Sequence, residues 1–427
     1  MSAKRPFFYG WIIVAIAVAS MLFIYGAKNS FAVFFASLLR DYPWSRGSTA
    51  IMYSLHNLLY GLLAPVAGSL TDRWKPKRVM VAGVIVLGLS TGACSLAFEL
   101  WHFYLLFGLI MPIGTVFCGL PVLAPALTNW FVKNRGLVLG LGLMGGGMSF
   151  VFNLLAELII RRLGWRVAYL VLGGSLFVFV LPLYVFLFHY RPESRNLKAY
   201  GASEVPADKR SGPAASEERD RRAFDWPLNK TIKAYQLWLL VTSYFLYWGV
   251  GCFLVLAHQV KFVEDLGFSS VFGASTIALL GVFIGIGQFS GFLSDRIGRE
   301  KTITLAVTLS VIALCVLTTI RDTSRPWLLY VHSVCFGYGA GLYAPTILAS
   351  AADIFHGRQF GVISGVLLTG LGIGGAIGPW VGGYIYDATG SYRPAFLLCI
   401  VCFVISILCI WIAAPRHAFV HRPKPGK

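Results

Sequence analysis

The sequence predicts an all-α membrane protein, with twelve transmembrane helices arranged as two pseudo-symmetric six-helix bundles. Three observations carry that reading. The 427 residues are 57% hydrophobic and only 13% charged. The apolar residues arrive in runs longer than the ~18 residues that mark a spanning helix. One charged motif also occurs twice, once in each half of the chain.

Taken in order, apolar segments fall near residues 8–38, 48–70, 79–98, 101–127, 131–158, 167–189, 235–260, 271–293, 302–320, 326–352, 359–386 and 394–414, twelve in all. Lys4 and Arg5 precede the first run, as they would in a signal peptide. That run is too long for one and no small-residue cleavage site follows promptly, so an uncleaved first helix is expected. "GSLTDRWKPKRVM" from Gly68 returns as "GFLSDRIGREKTI" from Gly291, an offset of 223 residues. The same offset lays "NRGLVLGLGLMGGG" on "GRQFGVISGVLLTG", pairing Arg135 with Arg358, Gly142 with Gly365 and Gly147 with Gly370. "GWRVAYL" at Gly164 is answered by "GSYRPAFL" at Gly390. Three pairings in one order argue for a doubled unit, with bundles at 1–189 and 234–427. Residues 190–233 hold ten basic and seven acidic residues among Pro, Gly and Ser, and read as a solvated cytoplasmic linker.

The net charge of +18 would suggest nucleic acid in a soluble protein, but here its distribution decides its meaning. With the N-terminus placed in the cytoplasm, 26 of the 36 basic residues fall on the inner side. The positive-inside bias thus puts both termini in the cytoplasm, and nucleic acid is not an expected partner; a plasma membrane, such as a bacterial inner membrane, is the expected location. Eight cysteines lie in or beside apolar segments. Cys399 and Cys402 share a C-x2-C spacing without a second pair or a histidine nearby, so packing is favoured over metal binding and no disulfide framework is indicated. "GLGIGGAIGP" from Gly370 is as glycine-rich as a nucleotide loop, yet it sits in an apolar span, lacks Lys-Ser/Thr and follows no strand, so close helix packing explains it better. No enzyme signature, cofactor or metal site is expected.

The repeated motif resembles the Gly-x-Leu-x-Asp-Arg-x-Gly-Arg-Lys signature of the major facilitator superfamily. Its first copy is Gly68, Leu70, Asp72 and Arg73, closed by Lys77 and Arg78; its second is Gly291, Leu293, Asp295, Arg296, Gly298, Arg299 and Lys301. The resemblance covers nearly the whole chain outside the linker and implies the major facilitator fold, with alternating access around a midplane site. The motif's aspartates can cap a helix start and pair with arginines, Arg135 and Arg358 among them, and such pairs would form a cytoplasmic gate. A static loop salt bridge is the plainer alternative.

Within that superfamily the first half resembles the monocarboxylate transporters and their bacterial relatives. "FYGWIIV" at Phe8 is similar to their first-helix signature, and "PALTNWFVKNRGLVLGLGLMGGG" from Pro125 to their fourth-to-fifth helix signature. "YGAKNSFAVFF" resembles a segment in which a lysine binds substrate or proton, and Lys28 holds that place. One departure stands out. An arginine that grips the substrate carboxylate is common on span eight of this family, but here its position falls on Gly287 or Gln288, and no charged residue lies between Ala278 and Leu293.

Lys28 is therefore the chief candidate. An ammonium at membrane depth costs roughly 2.5 kcal/mol or much more. The side chain could instead snorkel outward or pair with an edge carboxylate such as Glu157. Some twenty residues after Phe8, at ~1.5 Å each, the lysine sits ~30 Å along a tilted helix, near the outer half of the membrane core. Tyr25 stands one turn before it, Asn29 follows it, and span two offers His56, Asn57 and Tyr60. His258, Gln288 and Tyr384 are candidate contacts from the second half; a packing role is open for each. Asp and Glu fall at membrane edges and in loops, so proton coupling is assigned to Lys28 or His258. The expected function is secondary active transport of a small organic anion, most simply a monocarboxylate, by a monomer in symport with a proton. The alternatives are a facilitator or exporter of neutral or amphipathic compounds, and a non-transporting membrane receptor.

Overall fold

The computed structural model describes residues 8–73, 76–131, 135–201, 231–355 and 360–415. Among them, twelve helices are long and apolar enough to span a membrane: α1 (Gly10–Asp41), α2 (Arg46–Ala67), α3 (Pro76–Leu96), α4 (Leu100–Trp130), α5 (Leu137–Leu163), α6 (Trp165–Leu187), α7 (Tyr235–Asp265), α8 (Ser270–Ile297), α9 (Arg299–Thr319), α10 (Trp327–Ile354), α11 (Ile363–Thr389) and α12 (Arg393–Ala413). The protein is an integral membrane protein. The six helices of each half pack together, and the halves meet where α2 lies on α11, α5 on α8 and α1 on α7.

The repeats set the corners. Gly164, between α5 and α6, has φ +84, and Gly390, between α11 and α12, has φ +69. Both adopt the left-handed conformation that glycine reaches without strain. Gly298 in the second charged motif turns the chain from α8 into α9 with φ +95.

Close approach of α11 to its neighbours follows from two stripes of glycine. Gly370, Gly374, Gly378 and Gly382 recur every fourth residue and face Val241, Phe245, Val250 and Leu254 of α7. Gly372, Gly375 and Gly383 face Gly61, Asn57 and Gly47 of α2. A Cβ on Gly372 would lie 2.8 Å from the Cα of Gly61. Without such small residues the helices could not approach to the distance at which backbone packing and weak hydrogen bonds hold membrane bundles together.

Several spans, α1, α4 and α7 among them, depart from regular α-helical geometry along their length. The first span is helical over Gly10–Asn29 and again over Phe31–Asp41, with Ser30 between them returning its hydroxyl to the Gly26 carbonyl at 2.7 Å. In α7 the helix widens to π geometry over Phe245–Cys252. In α4 it widens over Tyr104–Ile110 and breaks again at Gly119. Local widening of this kind re-aims side chains and is common at functional sites.

At the end opposite the basic loops the two halves are latched. Asp387, at the end of α11, accepts the backbone N–H groups of Arg46 at 3.0 Å and Gly47 at 2.7 Å, capping α2 across the interface. The Arg46 guanidinium reaches Asp265 and the Tyr392 hydroxyl (2.9 Å) and lies 3.5 Å over the Tyr386 ring. Arg40 pairs with Glu264 at 3.3 Å, and Lys261 with Asp265 at 3.0 Å.

The start of the linker is largely exposed, with Tyr200 and Arg195 tethering it to the first bundle. Tyr200 N–H donates to the Trp130 carbonyl at 2.9 Å, and its ring joins Phe8 and Phe131. Arg195 stacks 3.9 Å over Tyr9. Aromatic surface at the mouth of α1 and α4 provides the cover that charge composition alone did not reveal. Residues 202–230 lie outside the described residues.

Candidate functional site

The site is built on the break in α1. Lys28 falls in the last turn of the Gly10–Asn29 segment, the end of a helix whose dipole favours a cation. The side chain is only 4% exposed. Among the described residues no hydrogen bond or ion pair reaches its Nζ. Instead four rings surround it, Phe253 at 5.0 Å, Tyr60 at 5.3 Å, Tyr53 at 5.7 Å and Tyr25 at 6.0 Å.

Sequence periodicity explains the cage. Tyr53, Asn57 and Tyr60 recur at helical spacing, so one face of α2 turns two rings toward Lys28. Tyr25 lies one turn below the lysine on its own helix and its hydroxyl shares a 2.7 Å hydrogen bond with that of Tyr60. Phe253 comes from the other half and follows the π-helical stretch of α7 directly.

Each cation–π contact is worth about 0.5–1 kcal/mol when exposed and ~2 when desolvated. A helix C-terminus adds roughly 0.3–1 kcal/mol. Together these offset the low end of the cost of burying an ammonium, ~2.5–3.5 kcal/mol, and supply no counter-charge. The enclosure therefore keeps a positive potential and an apolar wall, which is the chemistry of a site for an anion with an apolar body.

Asn29 and Asn57 lie at the same level. Asn29 donates through Nδ2 to Ser149 of α5 at 2.8 Å, and Asn153 donates to the Asn29 carbonyl at 2.9 Å. Asn57 reaches the Gly375 carbonyl at 3.5 Å. Pro379, four residues on, has no N–H to give that carbonyl, so Asn57 answers an acceptor that proline leaves open.

The second-half candidates are placed differently. His258 is fully buried and both ring nitrogens are engaged, Nδ1 with the Tyr392 hydroxyl at 3.1 Å and Nε2 with the Pro379 carbonyl at 2.8 Å. It packs α7 against α11 and α12. Gln288 is aimed across the interface at α5, where its Oε1, which has no partner, would lie 2.8 Å from a Cβ on Gly147. Tyr384 is a correction. It is 60% exposed beside Trp380, in an outward stripe with Ile373 and Ile377, because both glycine stripes of α11 use the opposite faces.

Tyr53 and Phe253 are site residues that the sequence reading passed over. His56, one of the polar groups expected on span two, is fully buried and held by the Phe107 carbonyl at 3.1 Å through Nδ1, with Nε2 unpartnered. Helical spacing to Asn57 and Tyr60 was the available signal for Tyr53. Glu157, read as an edge carboxylate, is fully buried, and neither carboxylate oxygen has a hydrogen-bond partner.

In the charged motif, Arg299 pairs with Asp295 at 2.6 Å and with Asp353 of α10 at 2.7 Å, both within the second half. Arg296 and Arg78 are exposed, and Arg296 lies 5.8 Å from the centre of the Phe292 ring. Arg358 and the side chains of Asp72, Arg73 and Arg135 lie outside the described residues.

Two six-helix bundles closed around a caged charge define a transporter-type membrane protein. The family model described as Major Facilitator Superfamily matches residues 16–331 and 287–427, and the chain belongs to that family. Monocarboxylate transporter 12 of Rattus norvegicus is 26% identical over 419 residues, covering 92% of this chain and 82% of its own. Monocarboxylate transporter 11 of Homo sapiens is 26% identical over 416 residues, covering 96% and 83%. Among solved structures, a bacterial homologue of the human lysosomal transporter Spinster, inward-facing and occupied, superposes with a TM-score of 0.68 over 99% of this chain and all of that one, at 14% identity. That likeness speaks to the fold alone.

Proposed function

We propose that the protein carries a small organic anion, most simply a monocarboxylate with an apolar body, across the membrane by alternating access and together with a proton. The observation that carries this reading is Lys28, a buried ammonium with four aromatic neighbours and, among the described residues, no counter-ion. The carboxylate would meet Nζ, and the apolar remainder would lie against Phe253, Tyr53 and Tyr60. Tyr25, Asn29 and Asn57 shape the floor of the same layer. Relatives named as monocarboxylate transporters support the substrate class, and the closeness of α1, α2 and α7 to Lys28 supports a site shared by both halves.

On this reading the basic loops and both termini face the cytoplasm of a bacterial-type inner membrane, bundles 1–189 and 234–427 rock as units about the linker, and the protein works as a monomer. The motif arginines and aspartates serve the cytoplasmic closure. The test is uptake into proteoliposomes of monocarboxylates, dicarboxylates and uncharged analogues, with and without an inward proton gradient. Saturable, acid-stimulated monocarboxylate uptake that disappears in Lys28→Ala is expected. Undiminished uptake in that variant, or preference for uncharged compounds, would refute the assignment.

A further inference from the structure

We propose that Glu157 is the proton-binding site of the transporter, placed between Lys28 and the outer latch. This rests on the transport reading above and extends it.

The carboxyl group is fully buried, and neither Oε1 nor Oε2 accepts a hydrogen bond. An ionised carboxylate in such surroundings costs several kcal/mol, whereas the neutral acid costs far less.

Its position is equally specific. Glu157 lies one turn beyond Asn153 on the same face of α5, and Asn153 donates to the Asn29 carbonyl next to Lys28 while its own Oδ1 has no partner. Six residues further out, at ~1.5 Å each, α5 ends. On that outer side Glu264 of α7 pairs with Arg40.

The helices packed on this part of α5 are α1, α6 and α8. From α1 come Lys28, Arg40 and Asp41, the last engaged by the Trp165 indole at 2.8 Å. From α6 comes Arg166, which donates to Tyr42 and to the Ala97 carbonyl. At this level α8 supplies no charge. The outer end of α7 adds Lys261, Glu264 and Asp265, and α5 itself carries Arg161 and Arg162 beyond Glu157. No cation among them pairs with Glu157.

Charge balance links the two sites. With an anion held against Lys28, an ionised Glu157 would leave the closed core one charge negative, and a protonated Glu157 leaves it neutral. The O–H bond forms when the outer end is open to water. It breaks when the opposite side opens, and the proton leaves with the anion. One proton accompanies one anion, with the acid on α5 standing in for a charged group on α8.

The test uses the full chain in two measurements. Infrared spectroscopy in membranes is expected to show the carbonyl stretch of a protonated acid, shifted by deuterium oxide, in the wild type and not in Glu157→Gln. In proteoliposomes loaded with benzoate, the acid stimulation of benzoate uptake relative to benzoate exchange is expected to be lost in Glu157→Gln. Acid stimulation that persists in this variant, stimulation by a sodium gradient in place of a proton gradient, or a spectrum unchanged by the substitution would each overturn the proposal. If Glu157→Gln does not fold, as judged by thermal unfolding in detergent, Glu157→Asp decides. It should keep coupled uptake with a displaced pH midpoint, and an unmoved midpoint counts against the proposal. If the wild type moves none of the acids in the wider panel, the transport reading fails while the infrared band still decides where the proton is.

Discussion

A single lysine organises the site, and the residues around it differ in what they contribute. Lys28 is legible in the sequence because it is the one charge in a long apolar run. Its cage is not, because Phe253 reaches it only when α7 packs on α1. Losing the Phe253 ring is expected to remove a desolvated cation–π contact of ~2 kcal/mol and the apolar wall behind it, raising the half-saturation concentration roughly tenfold or more in Phe253→Ala. Concentration-dependent uptake checks this, and Tyr384→Ala, on the outward stripe, serves as the comparison that should stay within about twofold, as surface substitutions usually do. His258 shows the opposite lesson. As a sequence it reads equally as ligand or packing residue, and in the structure the Tyr392 hydroxyl and the Pro379 carbonyl engage both ring nitrogens.

At the level of helices, interruption and close packing share the work. The break at Ser30 sets Lys28 at a helix end, and the π-helical stretch of α7 sets Phe253 opposite it. The glycines of α11 were legible as packing residues, and their two faces became distinguishable only once α2 and α7 were in place. Replacing Gly372 by leucine would drive a side chain into the Gly61 backbone. The expected result is loss of folded protein, read by size-exclusion profile in detergent, since overpacking where backbone faces backbone costs at least ~1–3 kcal/mol with no flexible side chain to yield. A milder change, Asn57→Leu, leaves the Gly375 carbonyl without its donor and is expected to lower stability by about 1 kcal/mol, measured as a drop in Tm.

For the whole molecule, the observed state is closed at the end away from the basic loops. Asp387 capping α2 and Arg46 bridging to Asp265 tie the two bundles directly, whereas the Arg299 pairs of the charged motif stay within one bundle. Removing the Arg46 side chain strips an ion pair, a hydrogen bond and a stacked ring at once. For Arg46→Ala the closed state is expected to weaken by about 2–3 kcal/mol, the range for truncating a hydrogen-bonded, partly buried charge pair. Hydrogen–deuterium exchange at the start of α2 and the outer end of α7 should rise accordingly, and unchanged protection there would show that the latch does not hold the bundles.

Hydropathy, the doubled motif and the glycine spacing determined the span count, the two-bundle architecture and Lys28, because each depends on residue type and on separation along the chain. The tertiary structure decided which groups share a space. It moved Tyr384 to the outer face, gave His258 its two partners, brought Phe253 to the lysine and enclosed Glu157. The physical reason is that burial and pairing are set by what the neighbouring helix presents. Within a membrane span every residue lies in an apolar run, so hydrophobicity alone does not distinguish the face that meets lipid from the face that meets the partner bundle.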